Sequence, residues 1–225
     1  MSLRGRGPVV VLLLALVGCG AGAPTPTPTP ECPTAPPTAL SAQATLEGAE
    51  LATMRIGGAV EGEFAIELYG DDAPLATANF VALARCGFYD GIKFHRVLSG
   101  FVIQAGDPGT EANEGDFPGI GTGGPGYEFE IEPPADGLFY DPYSVSMAND
   151  GRTNGSQFFV ALRDLDEGLQ RLYTIFGQVV SGTDVVDAIA AVPVTDPLVG
   201  VPATPVVIES ITISAGGPPQ ASPGE

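Results

Sequence analysis

The 225-residue chain has no tryptophan, one histidine, three cysteines and only nine lysines and arginines. Each scarcity removes a class of chemistry. With Cys19 set aside as part of a leader-like stretch, Cys32 and Cys86, 54 positions apart, and a single histidine cannot supply the four ligands of a zinc site, and neither a metal nor a cofactor is expected. Arg4 and Arg6 fall in a leader-like stretch, which leaves seven basic residues against 27 acidic ones, a net charge of −20. A nucleic-acid surface needs a basic footprint and is excluded; the acidity suits solubility. No Gly-Lys-Ser/Thr triplet exists, so there is no phosphate loop. Gly121-x-Gly123-x-x-Gly126 matches the dinucleotide glycine pattern in form. It is followed by the alternating run Tyr127 to Glu132 where that fingerprint requires a helix. A serine-type triad would have to use His95. That residue sits beside Arg96 in a strand, where alternation turns the two to opposite faces, so His95 is expected to be a structural, hydrogen-bonded histidine.

The first forty residues are organised differently from the rest. Arg4 and Arg6 precede an apolar run from Pro8 to Val17, too short to span a bilayer, and residues 1–18 read as a secretory signal. Leu16-Val17-Gly18-Cys19 is similar to the lipobox of bacterial lipoprotein signals, which implies lipidation at Cys19 and a membrane anchor at the cell envelope. Residues 19–43 read as a linker rich in proline and threonine. Proline fixes φ and lacks a donor, and fifteen residues of polyproline II at about 3.1 Å each reach roughly 45 Å. The folded domain is expected over 44–214, with a disordered tail over 215–225. Cys32 and Cys86 either pair across linker and domain or leave Cys86 as a small buried hydrophobe.

Within the domain, Leu51 to Ile56 and Glu63 to Tyr69 form a hairpin around Gly57-Gly58. Leu75, Ala78, Asn79, Ala82 and Leu83 then follow helical spacing, with Pro74 near the start and Gly87 past the end. Ile92 to Gln104 is a buried strand, or two joined at Gly100. A glycine-rich acidic loop follows over 108–126, of the length that is usually functional. Further strands are expected at 127–132, 145–149, 157–162, 173–180 and 206–214, and a second helix at 182–191. About eight strands and two helices in one domain point to a closed or nearly closed antiparallel β-barrel, mainly β in class.

Two stretches combine apolar strand residues with polar groups that do not titrate near neutrality: Phe94 to Asp107 and Tyr143 to Val160. They contain Phe94-His95-Arg96-Val97, Gly100-Phe101-x-x-Gln104-x-Gly106-Asp107, Ser146-Met147-Ala148-Asn149 and Thr153-Asn154-Gly155-Ser156-Gln157-Phe158-Phe159, and Tyr173-Thr174-Ile175-Phe176-Gly177 follows. With these five motifs in order, the sequence from about Ala52 to Ile213 resembles the cyclophilin family of peptidyl-prolyl cis/trans isomerases. The resemblance implies a closed eight-stranded antiparallel β-barrel capped by two α-helices, one over each open end, with the active site on its outer face and Arg96, Phe101 and Gln104 as its catalytic residues. It implies substrate contacts from Val102, Ala148, Asn149, Gln157, Phe159, Leu169 and Tyr173, with Phe101, Val102, Phe159 and Leu169 forming the proline socket. Proline-containing polypeptides are the implied partners, and the protein is expected to act as a monomer. The family departs from this chain at a tryptophan linked to cyclosporin binding, which falls at Gly168. A family histidine is Tyr173 here and a family methionine is Val102, the turn at 151–153 is one residue short, and 111–120 is an acidic insertion.

The chemistry is consistent with the residue types. The amide barrier is about 18–20 kcal/mol, and a site that favours the twisted amide needs no nucleophile. Twisting leaves a lone pair on the prolyl nitrogen, which a fixed guanidinium can meet as a charge-assisted donor. Isomerisation of exported proteins is the leading reading. The alternative is a module at the envelope that binds proline-containing segments without essential turnover.

Overall fold

The structure, a computed structural model, describes residues 29–111 and 119–216. The expected signal, the lipidation position Cys19, most of the acidic insertion and most of the tail lie outside these residues.

The first described element is a helix inside the expected linker. α1 (Ala39–Leu46) starts directly after the last proline of the tract, Pro37. Thr38 caps it: its hydroxyl accepts from the Ser41 N–H at 3.3 Å, and the Ser41 hydroxyl accepts from the Thr38 N–H at 2.8 Å. Such reciprocal capping satisfies donors that a helix start leaves open. The boundary expected at Ala44 therefore falls inside a helix.

The rest follows in the order β1 (Leu51–Gly58), β2 (Gly62–Leu68), α2 (Pro74–Arg85), β3 (Arg96–Leu98), β4 (Val102–Ala105), β5 (Phe129–Glu130), β6 (Ser144–Asn149), β7 (Thr153–Ala161), β8 (Ile175–Ser181), α3 (Thr183–Ala190) and β9 (Val206–Ser214). Pro74 opens α2 as expected, and Gly87 follows its end at φ 76°, a conformation glycine adopts without cost. α1 packs on α2, with the Arg85 guanidinium donating to the Thr45 carbonyl at 2.6 Å. Cys32 and Cys86 form a disulfide that fastens the segment before α1 to the end of α2.

All strand pairs are antiparallel, in the order β3-β4-β7-β6-β8-β2-β1-β9, with β5 added on β7. The sheet curls until its edges approach. Residues 91–94 run beside β9 through one bridge, Lys93 to Val207, flanked by Phe94 N–H to Val206 O (2.9 Å) and Ile208 N–H to Ile92 O (2.8 Å). The expected barrel of eight strands and two helices is replaced, among the described residues, by a curled sheet of nine strands with three α-helices. The turn at 87–91 and the shortness of β3 leave a single bridge where a full ladder would close the sheet. The expected strand 127–132 shrinks to β5, because Glu132 is drawn away to the start of α2.

Strand β7 separates two apolar clusters. Phe158 and Val160 face the main core, where Phe80 packs near Tyr89, Phe158 and Phe176 with ring centroids 5.1–5.6 Å away. Phe159 and Ala161 face outward into a second cluster with Val102, Tyr140, Leu165 and Ile175. Period-two alternation thus builds a second buried surface on the outside of the sheet.

Candidate active site

The second cluster forms the floor of a cavity of about 850 Å³ on the outer face of the sheet. Arg96, Gln104 and Phe159 lie directly opposite one another across β3, β4 and β7, so cross-strand pairing places their side chains on one face. Phe101 enters from the turn between β3 and β4, where Gly100 has φ 70°. Ala148 and Asn149 come from the irregular end of β6, and Leu169 and Tyr173 from the loop before β8. All ten residues expected at the site line this one cavity.

At the apolar end, Phe101, Val102, Phe159 and Leu169 come together, and the Phe159 and Tyr173 rings meet at 5.6 Å. The Arg96 guanidinium carbon lies 5.9 Å from the Phe101 ring centroid. Its Nη1 donates to Gln104 Oε1 at 3.4 Å, Gln104 Nε2 donates to Gln157 Oε1 at 3.0 Å, and Gln157 Nε2 donates to the Gly123 carbonyl at 2.8 Å. Arg96 enters no ion pair among the described residues, so no carboxylate neutralises it beside the apolar socket.

Asn149 is placed differently from a simple substrate ligand. Its Nδ2 donates to Asn154 Oδ1 (3.0 Å) and the Leu172 carbonyl (2.9 Å), and its Oδ1 accepts from the Gly151 N–H (2.9 Å). The side chain is thus used in folding the rim of the cavity.

His95 does not line the cavity, as its alternation with Arg96 required. It is buried, but neither ring nitrogen has a hydrogen-bond partner of normal geometry among the described residues, which corrects the expectation of a hydrogen-bonded histidine. Burial lowers its pKa to about 4; the Asp107 charge acts the other way, Arg96 lowers it further, and the Lys93 backbone raises it slightly. The ring is therefore neutral across the physiological range. The glycine loop Gly121-Thr122-Gly123 passes beside it, closely enough that a Cβ on Gly121 would sit 3.7 Å from Nε2.

Three contributors escaped the sequence reading. The glycine run at 121–126 supplies one wall of the cavity; the length of the loop 108–126 marked it as functional, but nothing in the sequence placed its glycines at this site. Tyr140 is fully buried and its hydroxyl donates to the carbonyls of Gln170 (3.2 Å) and Tyr173 (3.0 Å) while accepting from the Tyr173 N–H (3.2 Å); it ties down the loop that carries Leu169 and Tyr173. Asn79 on α2 donates to the Gly155 carbonyl (2.9 Å) and accepts from the Tyr127 hydroxyl (2.7 Å), holding two parts of the far wall. A lone tyrosine or asparagine in sequence carries no signal of such long-range bonds.

Residues 51–213 match the family model described as cyclophilin type peptidyl-prolyl cis-trans isomerase/CLD. Peptidyl-prolyl cis-trans isomerase A of Mycobacterium tuberculosis is 43% identical over 173 residues, covering 68% of this chain and 87% of the relative. A peptidyl-prolyl cis-trans isomerase of Helicobacter pylori is 44% identical over 132 residues, covering 57% of this chain and 75% of the relative. Among solved structures, a cyclophilin type peptidyl-prolyl cis-trans isomerase of Cryptosporidium parvum superposes with a TM-score of 0.64 at 30% identity, over 75% of this chain and 99% of that one. The same protein solved in the presence of the dipeptide Ala-Pro gives a TM-score of 0.63 at 30% identity, over 74% of this chain and 99% of that one.

Proposed function

This chain belongs to the cyclophilin family of peptidyl-prolyl cis-trans isomerases and is an isomerase of X-Pro bonds; we propose that it catalyses by stabilising the twisted amide with Arg96 above an apolar proline socket, and that its clients are exported proteins. The observation that carries the mechanism is the placement of an unneutralised guanidinium beside Phe101, Val102, Phe159 and Leu169. A prolyl ring in that socket brings the amide C–N bond, which rotates without breaking, under the guanidinium. In the planar amide the nitrogen lone pair is delocalised and is a poor acceptor. As the bond rotates, the nitrogen pyramidalises and its lone pair becomes available, so a donor from Arg96 gains strength only as the barrier is climbed. Gln104 and the Asn149 backbone hold the flanking peptide so that rotation is confined to one bond, and Ala148, Gln157 and Tyr173 shape the walls.

Exchange NMR on an Ala-Pro peptide tests this. Arg96→Ala should lower catalysed exchange by about 10²–10³-fold, with little loss of peptide binding. Unchanged exchange in that variant overturns the mechanism.

The proposed setting rests on two sequence features and one bond. Residues 1–18 have the pattern of a signal, Cys19 occupies a lipobox, and the Cys32–Cys86 disulfide suits an oxidising compartment. We infer a lipid-anchored isomerase at the cell envelope, working as a monomer on polypeptides that fold outside the cytoplasm. Mass spectrometry of the mature N-terminus decides the anchor: a diacylated Cys19 is expected, and an unmodified chain retaining residues 1–18 overturns it.

A further inference from the structure

Asp107 is completely buried, lies outside the cavity lining and pairs with no cation among the described residues. A buried carboxylate without a counter-ion is costly unless its oxygens are met by donors. Here they are met by backbone. Oδ1 accepts from Gly109 N–H at 2.8 Å, and Oδ2 accepts from Gly121 N–H at 2.6 Å and Gly123 N–H at 3.2 Å. Two of these donors belong to the glycine loop that walls the cavity. A Cβ on Gly123 would sit 2.0 Å from Asp107 Oδ1, so the approach depends on glycine there.

The same loop residue then sets a direction. The Gly123 carbonyl can only accept, and it takes the amide nitrogen of Gln157 at 2.8 Å. That turns Gln157 Oε1 towards Gln104, whose Nε2 donates to it at 3.0 Å, and so turns Gln104 Oε1 towards Arg96 Nη1 at 3.4 Å. Each amide has one donating and one accepting end, so fixing the first fixes both flips. Without a placed Gly123 carbonyl, Gln157 could reverse and present its NH₂ to Gln104, whose own reversal would then turn its NH₂ to the guanidinium, which cannot accept.

We propose that Asp107 is a positioning residue for Arg96, acting through the glycine strap Gly121 to Gly123 and the Gln157–Gln104 pair. This rests on the reading of Arg96 given above. The carboxylate touches no substrate. It holds the strap, the strap sets the amides, and the amides present an acceptor to the guanidinium.

The test is a double-mutant cycle on the full chain, with catalysed exchange and peptide affinity measured separately by NMR and folding checked by thermal unfolding. Asp107→Asn should lower catalysed exchange about tenfold or more, with peptide Kd changed less than twofold. In a Gln157→Ala background the same substitution should change exchange by less than twofold, because the relay is already cut. An equal loss in both backgrounds, or a folded Asp107→Asn with full exchange, overturns the proposal. Should Asp107→Asn fail to fold, Gly123→Ala decides, since its added Cβ pushes the strap off the carboxylate: the same loss, abolished by Gln157→Ala, is expected, and a loss that persists there overturns the proposal. Arg96→Ala measured in parallel separates the two readings. Loss in Arg96→Ala with none in Asp107→Asn removes only the positioning role, whereas full exchange in Arg96→Ala removes the catalytic assignment itself.

Discussion

The Phe159 ring meets the Tyr173 ring edge-on, with centroids 5.6 Å apart and planes at 79°. Phe159 is held by β7 and Tyr173 by a loop, so this contact joins the rigid floor of the site to a segment pinned mainly by Tyr140. Such pairs contribute about 0.5–1.5 kcal/mol beyond area burial. Tyr173→Ala should weaken Ala-Pro peptide binding roughly two- to tenfold, since about 1.4 kcal/mol is tenfold in affinity. An NMR titration measures it, and unchanged affinity would show that the Tyr173 ring takes no part in forming the socket.

Glu132 is expected to stabilise α2. Ala73, at the helix N-cap, has no side-chain acceptor; the Glu132 carboxylate instead accepts from the N–H groups of Leu75 (2.9 Å) and Ala76 (2.8 Å). Replacement by alanine should cost about 1–2 kcal/mol at pH 7, the usual range for a lost cap. Urea denaturation measures this. Burial raises the Glu132 pKa, the two N–H bonds opposing it and Glu130 adding to it. A raised folded value means that the native state binds the proton more tightly than the unfolded chain. The pH-dependent part of its contribution is therefore fully present below the ordinary glutamate value and is lost as pH rises through the folded one, which leaves the two cap hydrogen bonds as what alanine removes at pH 7. Glu132→Gln should remove that pH dependence.

His95 predicts the opposite slope. Its pKa is lowered to about 4, chiefly by burial, so between roughly 6.5 and 4 the unfolded chain binds a proton that the native state does not. Stability from the neutral ring is present above 6.5 and is lost as pH falls through 4, with a full effect on the order of 3 kcal/mol. Denaturation midpoints between pH 4 and 8 should show this fall, and His95→Gln should flatten it. An equally steep fall in the variant would place the titration elsewhere.

The disulfide should matter to the domain as well as to the segment before it. Cys32 and Cys86 are separated by 54 positions, and closing a loop of that length is worth about 2–5 kcal/mol. Cys32→Ser with Cys86→Ser should lower the denaturation midpoint accordingly. It should also speed amide exchange in α1, which otherwise rests on α2 through packing and the Arg85–Thr45 bond.

Alternation read from the sequence turned His95 and Arg96 to opposite faces; the resemblance, not periodicity, picked out Gln104 and Phe159, which lie opposite each other across β4 and β7. The resemblance then supplied Leu169 and Tyr173, which no periodicity would have placed there. What stayed hidden depends on partners far apart in sequence. Glu132 meets α2 across 56 and 57 positions, Asn79 meets Gly155 across 76, and cysteine spacing alone could not pair Cys32 with Cys86. α1 was hidden for a local reason: the proline density around it outweighed an eight-residue helix with little amphipathic pattern. Closure of the sheet was overstated because strand counting does not reveal that residues 91–94 meet β9 at one bridge.

The crosslink at Cys32 also changes what proteolysis can do. The stretch from Glu31 to Glu50 is largely exposed and contains the whole of α1, so the segments on either side of that helix offer peptide bonds to a protease. A cut between Cys32 and Leu51 breaks the main chain without freeing the domain, since Cys86 still holds everything that precedes Cys32. The clipped protein should run as one species on a non-reducing gel and as two on a reducing one. With the chain anchored through Cys19 as proposed, shedding the isomerase takes a cut on the N-terminal side of Cys32, or a reductant as well as a protease.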